Sequence, residues 1–344
     1  MKTVYTDKHK LRDANTELHF GELVAPFECP VRAEFVLQRV NEVALGEVLE
    51  PAAFGLEQIL RVHDAGFIEF LQACWEEWKA AGAAGEAIPT VYPGRSMPSF
   101  DRIPDFIEGK MGYYCLAIET SITDGTWDAA LASAQVALTA QGKLASGEHS
   151  AFALCRPPGH HAATDAYGGY CFINNAAVCA QAFIDQGAER VAILDVDFHH
   201  GNGTQEIFYQ RDDVLFYSLH GDPREAFPHF LGYADETGAG AGEGYNHNYP
   251  LPPGTAYVEW AAALDDALRK VANFAPDALV ISLGVDTFEH DPISFFKLKS
   301  DHFSDYGRRI AKLGLPTLFV MEGGYAVEEI GINAVNVLTG FEGA

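Results

Sequence analysis

Short unbroken apolar runs alternate with stretches of helical periodicity through the second half of the chain. This is the pattern of a parallel sheet joined by crossover helices. Four runs predict buried strands, from Ala151 to Cys155, Val191 to Val196, Ala278 to Val285 and Pro316 to Met321. They are continuous rather than alternating, as expected of strands covered on both faces. Helices are predicted from Ala176 to Gln186, Tyr257 to Phe274 and Phe303 to Leu313, the first and third stopped by Gly187 and Gly314. Upstream, Thr126 to Leu144 also has helical spacing. Two stretches break the pattern. Ala80 to Asp105 carries Gly82, Gly85, Pro89, Pro93, Gly94, Pro98 and Pro104 with little periodicity, and a loop this long inside a compact domain is usually functional or an interface element. Gly232 to Gly254 is glycine-rich and is expected to be a surface loop.

The expected fold class is α/β, a central and mostly parallel sheet flanked by helices. With 344 residues, 48% of them hydrophobic, the chain can bury a sizeable core. It has no Ser/Gly linker, low-complexity tract or internal repeat, so a single domain over 1–344 is expected. Nothing approaches ~18 consecutive apolar residues, and the start has no apolar h-region, so a soluble, cytoplasmic protein without membrane partners is the expectation. The six cysteines form no Cys-x-x-Cys pair and read as buried thiols. A formal charge of −25 makes nucleic acid a poor partner. An acidic mouth would draw a cationic substrate, although the same charge also suits a plain soluble surface.

The candidate chemistry collects where the four strands end. The first runs into Arg156-Pro157-Pro158-Gly159-His160-His161 and the second into Asp195-Val196-Asp197-Phe198-His199-His200-Gly201-Asn202-Gly203. The third leads to Gly284-Val285-Asp286 and the fourth to Glu322-Gly323-Gly324-Tyr325. Ligands of open α/β sheets bind outside the carboxyl ends of the strands, so these clusters can converge though far apart in sequence. Asp197 and His199, spaced i, i+2 near a strand end, point the same way. With Asp286 they make three ligands and leave a position open, as a catalytic metal requires. Zinc is the first choice, and Fe(II), Mn(II) and Co(II) stay open because the set is rich in oxygen. His160 and His161, held behind a Pro-Pro-Gly turn, suit general base and acid work. Tyr325 follows two glycines and could donate to a developing oxyanion.

Together these ordered motifs resemble the histone deacetylase superfamily. The N-terminal part, including Arg12, Thr16-Glu17 and Gly21-Glu22-Leu23, and the loop at 80–105 resemble its bacterial acetylpolyamine amidohydrolase branch over essentially the whole chain. The resemblance implies a three-layer arginase/deacetylase-like fold. It implies that Asp197, His199 and Asp286 hold zinc, one ion per subunit. His161 would be general base and acid with His160 as electrostatic partner, and Tyr325 would polarise the acetamide carbonyl. Asp195 would orient His160. A structural K⁺ or Na⁺ would be held by Asp195, Asp197, His199, Ser218 and Leu219. Tyr170 and Phe227 would line a narrow tunnel, with the Gly169 carbonyl facing the substrate. Asn202 departs from relatives that carry an aspartate there, so His161 is expected to be less basic. Arginase-like ureohydrolases share the Asp-x-His element, but two residues after His199 and Asp286 stand Gly201 and Phe288, so a single catalytic metal is expected.

The implied substrate is a small cationic acetylated amine, such as N-acetylputrescine or N-acetylcadaverine, with Glu119 and Glu108 as carboxylates at the tunnel mouth. The loop at 80–105 would pack across a homodimer and narrow the opening. Two rivals are an acetyl-lysine deacetylase using the same site and a non-catalytic sensor that keeps the fold.

Overall fold

A computed structural model describes residues 1–94 and 102–344. Ten strands alternate with nine helices among them: β1 (Lys2–Val4), β2 (Glu17–His19), β3 (Glu22–Val24), α1 (Val31–Glu42), β4 (Val48–Leu49), α2 (Ala65–Ala80), α3 (Ile107–Tyr114), α4 (Thr126–Ala145), β5 (Ser150–Ala153) and α5 (Asn175–Asp185). The remainder is β6 (Val191–Asp195), α6 (Asn202–Phe208), β7 (Val214–Gly221), β8 (Asn246–Leu251), α7 (Tyr257–Phe274), β9 (Ala278–Leu283), α8 (Ser300–Ala311), β10 (Thr317–Met321) and α9 (Val327–Glu342).

Eight strands form one sheet in the order β4-β1-β5-β10-β9-β6-β7-β8. Every pairing in it is parallel. The short β2–β3 hairpin stands apart as an antiparallel pair. The four strands read from apolar runs are β5, β10, β9 and β6, four neighbours at the centre of the sheet. Their alternate residues feed two cores. Ala151, Ala153, Val191, Ile193, Val280 and Val320 pack on the side of α2, α4 and α5. Phe152, Leu154, Leu194, Ile281, Phe319 and Met321 pack on the side of α1, α7, α8 and α9. Both faces are therefore covered, which is why these strands show no alternation of polar residues.

The predicted helices are present. Gly187 and Gly314 take positive φ just past α5 and α8, where the chain leaves the helix. Asn174 caps α5 by accepting from the Ala177 N–H at 3.0 Å. The expectation of a surface loop over Gly232 to Gly254 is corrected by β8, which lies at the edge and pairs with β7 alone. Its Asn246 and Asn248 side chains turn inward and donate to Gln205 Oε1 at 3.0 and 2.8 Å. A strand that buries amides carries no apolar signature. Of the stretch Ala80 to Asp105, residues 95–101 lie outside the described residues. Ala87 bridges to Ile122, and the Val91 carbonyl approaches Gly112, where a Cβ would lie 1.8 Å from it. The six cysteines are unpaired, five of them buried.

The N-terminal segment is tied to the strand ends by a buried ion cluster. Glu28 accepts from Arg156 Nε at 2.7 Å, Arg156 Nη2 at 3.1 Å and Arg32 Nη1 at 2.9 Å. Arg156 also donates to the carbonyls of His9 and Arg12 at 2.6 and 2.9 Å. Burial alone would raise the Glu28 carboxyl, but Arg156, Arg32 and Arg12 together hold it below its ordinary value. Removing this acid leaves two guanidinium groups buried without their partner. Glu28→Ala is therefore expected to cost about 3–5 kcal/mol in chemical denaturation. Arg269→Ala, which breaks the exposed pair with Asp266, should cost under about 1 kcal/mol, and equal losses would remove the cluster as a brace.

Candidate active site

The turn after β6 aims Asp197 and His199 at the end of β9, where Asp286 stands. Their ligating atoms all lie within 4.8 Å of one another. His199 Nδ1 is 2.9 Å from Asp286 Oδ2 and 3.4 Å from Asp197 Oδ1. Backbone N–H groups fix the carboxylates: His199 and Gly323 donate to Asp197 at 2.8 Å each, and Phe198 donates to Asp286 at 2.7 Å. The chain closes tightly around them. A Cβ at Gly284 would lie 2.0 Å from Asp197 Oδ2, and one at Gly323 would lie 2.5 Å from the same oxygen.

Two aspartates buried side by side repel each other. Burial, then the Asp197 charge, pushes Asp286 well above its ordinary value. Asp197 goes the other way, because His160 and His199 outweigh its burial. His199 is raised to about 9, its burial overcome by the hydrogen bonds and charges of the two aspartates. Buried like charges of this kind call for a compensating cation. The mixed nitrogen and oxygen set, three groups with an open side, fits a divalent metal. A second trio within ligating reach, His160, Cys171 and Glu322, is otherwise engaged. Burial pushes the Cys171 thiol well up, and Glu322 Oε2 accepts from the backbone N–H groups of Gly159 at 2.6 Å and His160 at 3.2 Å.

The paired histidines have different environments. His160 Nδ1 is 3.0 Å from Asp195 Oδ2, in a fold so close that a Cβ at Gly201 would lie 2.2 Å from that oxygen. Burial lowers His160, but Asp197 and Asp195 more than offset it and raise the imidazole to about 10. Asp195 is itself raised to about 6, by burial against the pull of His160. His161 Nδ1 is 2.7 Å from Asn202 Oδ1, and the Asn202 amide donates back to the His161 carbonyl at 3.3 Å. With the amide so oriented, Nδ1 carries the proton and Nε2 is free to accept one. Burial, then His160 and His199, drives His161 well below its ordinary value, and Asn202 opposes this only in part. Burial is the main cause of this low basicity, and the amide works against it. A charged imidazole thus lies beside a neutral one, with ring centres 4.0 Å apart.

Tyr325 is buried on the turn after β10. Its backbone N–H donates to Asp291 Oδ2 at 2.7 Å, and Arg32 donates to the carbonyls of Gly324 and Glu322 at 2.6 and 2.8 Å. Burial pushes its phenol well up, so the hydroxyl keeps its proton. Sequence patterning had no signal for Asp291 or Arg32, which act through backbone groups distant in the chain.

A cavity of about 490 Å³ opens onto His161, His199 and Tyr325. Gly169, Tyr170, Phe198, Phe227, Ile293 and Phe295 are among its lining. Phe227 packs edge-on to His161, with ring centres 5.0 Å apart. Gly169 has φ +56°, and a Cβ there would lie 2.3 Å from the His161 ring. The Gly169 carbonyl accepts from the Cys171 thiol at 3.3 Å.

Glu119 lines the cavity, with burial raising its carboxyl, and accepts from the Gly169 N–H at 2.8 Å. Glu108 is not brought to this cavity. It sits in the first turn of α3, hydrogen-bonded to the Thr90 hydroxyl. Glu17, named from the sequence only within a motif, does line it. It accepts from the Tyr170 hydroxyl at 2.6 Å and the Phe27 N–H at 3.1 Å, and burial raises it to about 7. Ser218 stands beside Asp195 across the β6–β7 ladder, with Leu219 next along the strand. Its hydroxyl is 2.8 Å from His220 Nδ1.

The family described as histone deacetylase domain matches residues 26–341. The acetylpolyamine amidohydrolase 1 of Pseudomonas aeruginosa is 60% identical, over 100% of this chain and 99% of its own. The acetylpolyamine amidohydrolase of Mycoplana ramosa is 59% identical, over 100% of both chains. Among solved structures, the acetylpolyamine aminohydrolase of Burkholderia pseudomallei superposes with a TM-score of 0.94 at 40% identity, over 99% of this chain and 98% of that one. The HDA15 HD domain superposes at 0.81 with 25% identity, over 99% and 88%. The eight-stranded parallel sheet with helices on both faces is the arginase/deacetylase fold, and the chain belongs to the histone deacetylase family, on its acetylpolyamine amidohydrolase branch.

Proposed function

We propose that the chain is a metal-dependent amidohydrolase that removes the acetyl group from acetylated polyamines or diamines of the N-acetylputrescine and N-acetylcadaverine kind. The observation that carries this is one cavity lined by His161, His199 and Tyr325 and also by Glu17 and Glu119. The first set suits an amide carbonyl, and the second suits an ammonium group. The names of the similar proteins point the same way.

Asp197, His199 and Asp286 would hold one divalent ion, zinc in our reading, with Fe(II), Mn(II) and Co(II) as the alternatives. When bound, such an ion supplies Lewis acidity for the carbonyl and makes water a stronger acid. His161 accepts a proton from the attacking water at Nε2, while Nδ1–H stays on Asn202. The Tyr325 hydroxyl donates to the oxygen on which negative charge develops. His160, held charged by Asp195, stabilises that charge from the side of its neighbour. The leaving nitrogen then takes a proton from the protonated histidine pair as the C–N bond breaks, giving acetate and a free amine. Asp195, Asp197, His199, Ser218 and Leu219 would hold a structural K⁺ or Na⁺ behind this site. A cytoplasmic homodimer belongs to the same reading. Among the described residues no helix is long and apolar enough to cross a membrane.

The direct test is acetate release from N-acetylputrescine and from an acetyl-lysine peptide, before chelation, after it and with zinc restored. Zinc-restorable turnover that favours the small amine is expected, and preference for the peptide would transfer the assignment to protein deacetylation. Tyr325→Phe should lower kcat by about 10²–10³ with little change in KM; unchanged turnover would remove the phenol from the reaction. Burial holds the Glu17 carboxyl near 7, so it is largely neutral at pH 6 and largely ionised at pH 8. The substrate ammonium remains charged over that range. The ratio of kcat/KM for N-acetylputrescine to that for a neutral N-alkylacetamide should therefore rise from pH 6 to 8. In Glu17→Gln the slope should be smaller, with Glu119 left to contribute the remainder, and a slope unchanged from the wild type would exclude Glu17.

A further inference from the structure

The lining of the cavity includes an aromatic side chain that the fold does not need. In the β2–β3 hairpin His19 pairs with Glu22, so Phe20 and Gly21 form the whole turn. Both residues have positive φ, 46° and 85°, as a two-residue turn matched to the strand twist requires. Asparagine, aspartate or glycine suits the first of these positions, whereas the phenylalanine Cβ is crowded by its own backbone there. The ring gains no burial in return, since Phe20 is 98% exposed. It meets His19 edge-on with ring centres 4.7 Å apart, and His19 in turn meets Phe27 edge-on at 5.1 Å. A residue unfavourable both for its backbone conformation and for its hydration points to use by a ligand.

The surroundings identify the kind of ligand. Phe20 and His19 line the same cavity as Glu17, Glu119 and Glu225, and Glu225 is solvent-exposed. Carboxylates that share a cavity with an aromatic face repel anions and offer nothing to a purely apolar chain. Both features attract an ammonium group, the carboxylates by charge and the ring by its quadrupole.

We propose that Phe20 is a specificity residue whose ring receives a distal ammonium of an acetylated polyamine, so that the hairpin tip selects substrates with a further cation beyond the acetamide. This rests on the acetylpolyamine reading of the site. No bond to the reacting atoms is involved, and the residue acts on KM through binding of the far end of the substrate.

Two variants separate the possibilities. Phe20→Asn keeps a residue that the turn favours, and Phe20→Leu keeps apolar bulk without the ring. For each, kcat and KM are measured on an N-acetylated diamine, an N-acetylated triamine and a neutral N-alkylacetamide of matched length. Sedimentation velocity at the assay concentration reports the oligomeric state. The expected result in both variants is a fall of about 2- to 5-fold in the ratio of kcat/KM for the cationic substrates to that for the neutral one, carried by KM. Three results overturn the proposal: an unchanged ratio, a Phe20→Leu variant that retains the full cation preference, or a loss that appears only together with a change of oligomeric state, which would make Phe20 a subunit contact. The wild-type arm tests the underlying reading separately. If the unaltered chain shows no preference for cationic acetamides, the acetylpolyamine assignment falls and takes this proposal with it. If it prefers them and the variants match it, only the role of Phe20 falls.

Discussion

Asp195, Asp197, Asp286 and Glu322 are carboxyl groups buried together at one edge of the sheet, and the rest of the site is arranged around their mutual repulsion. Each is answered locally. Asp195 faces His160, Asp197 and Asp286 share His199, and Glu322 takes the backbone N–H groups of Gly159 and His160. An isolated buried carboxylate would be prohibitively costly, so these partners are a condition of folding as well as of chemistry. The same crowding separates the titration of neighbours. Asp197 is held low while Asp286 is pushed up, and His160 is held charged while His161 is kept neutral. The contrast between adjacent histidines follows from which carboxylates each one faces.

Such a cluster needs rigid walls, and the fold supplies them from several directions. The carboxylates stand at the carboxyl ends of central strands, whose positions are set by packing on both faces. Arg32 reaches from α1 to the carbonyls of Glu322 and Gly324, and Glu28 joins Arg32 to Arg156 at the end of β5. The N-terminal segment thus holds two of the strand ends that carry the candidate chemistry. Glycines at 284 and 323 allow the third and fourth strand ends to close on Asp197, because any side chain there would occupy the space of its carboxylate.

The cavity extends this logic toward solvent. The chain carries a large negative charge overall, but the carboxylates that line the cavity are selected by position. Glu17 and Glu119 are buried enough to be raised above the ordinary range, whereas Glu225 is exposed. Net charge alone therefore says little about recognition. What matters is which acids share a space with an open approach to His161, His199 and Tyr325.

By itself the sequence determined the central strands, the helices that follow them and the polar clusters at their ends. These are short-range patterns: a strand buried on both faces must be apolar throughout, and a helix must repeat its apolar residues every three or four positions. The motifs were legible because each is a contiguous run placed just past such a strand. Strands β1 and β4 are too short to make a pattern, β7 is interrupted by Ser218 and His220, and β8 buries asparagine amides, so none announced itself. Only the tertiary structure decided that Glu17 enters the cavity while Glu108, on α3, accepts from Thr90 instead. It also decided that Asp291 and Arg32 steady the Tyr325 turn and that Phe20 stands exposed on the cavity that the acids line. These assignments depend on contacts between segments far apart in the chain, and the direction in which a carboxylate or a ring points is set by packing partners that no local pattern encodes.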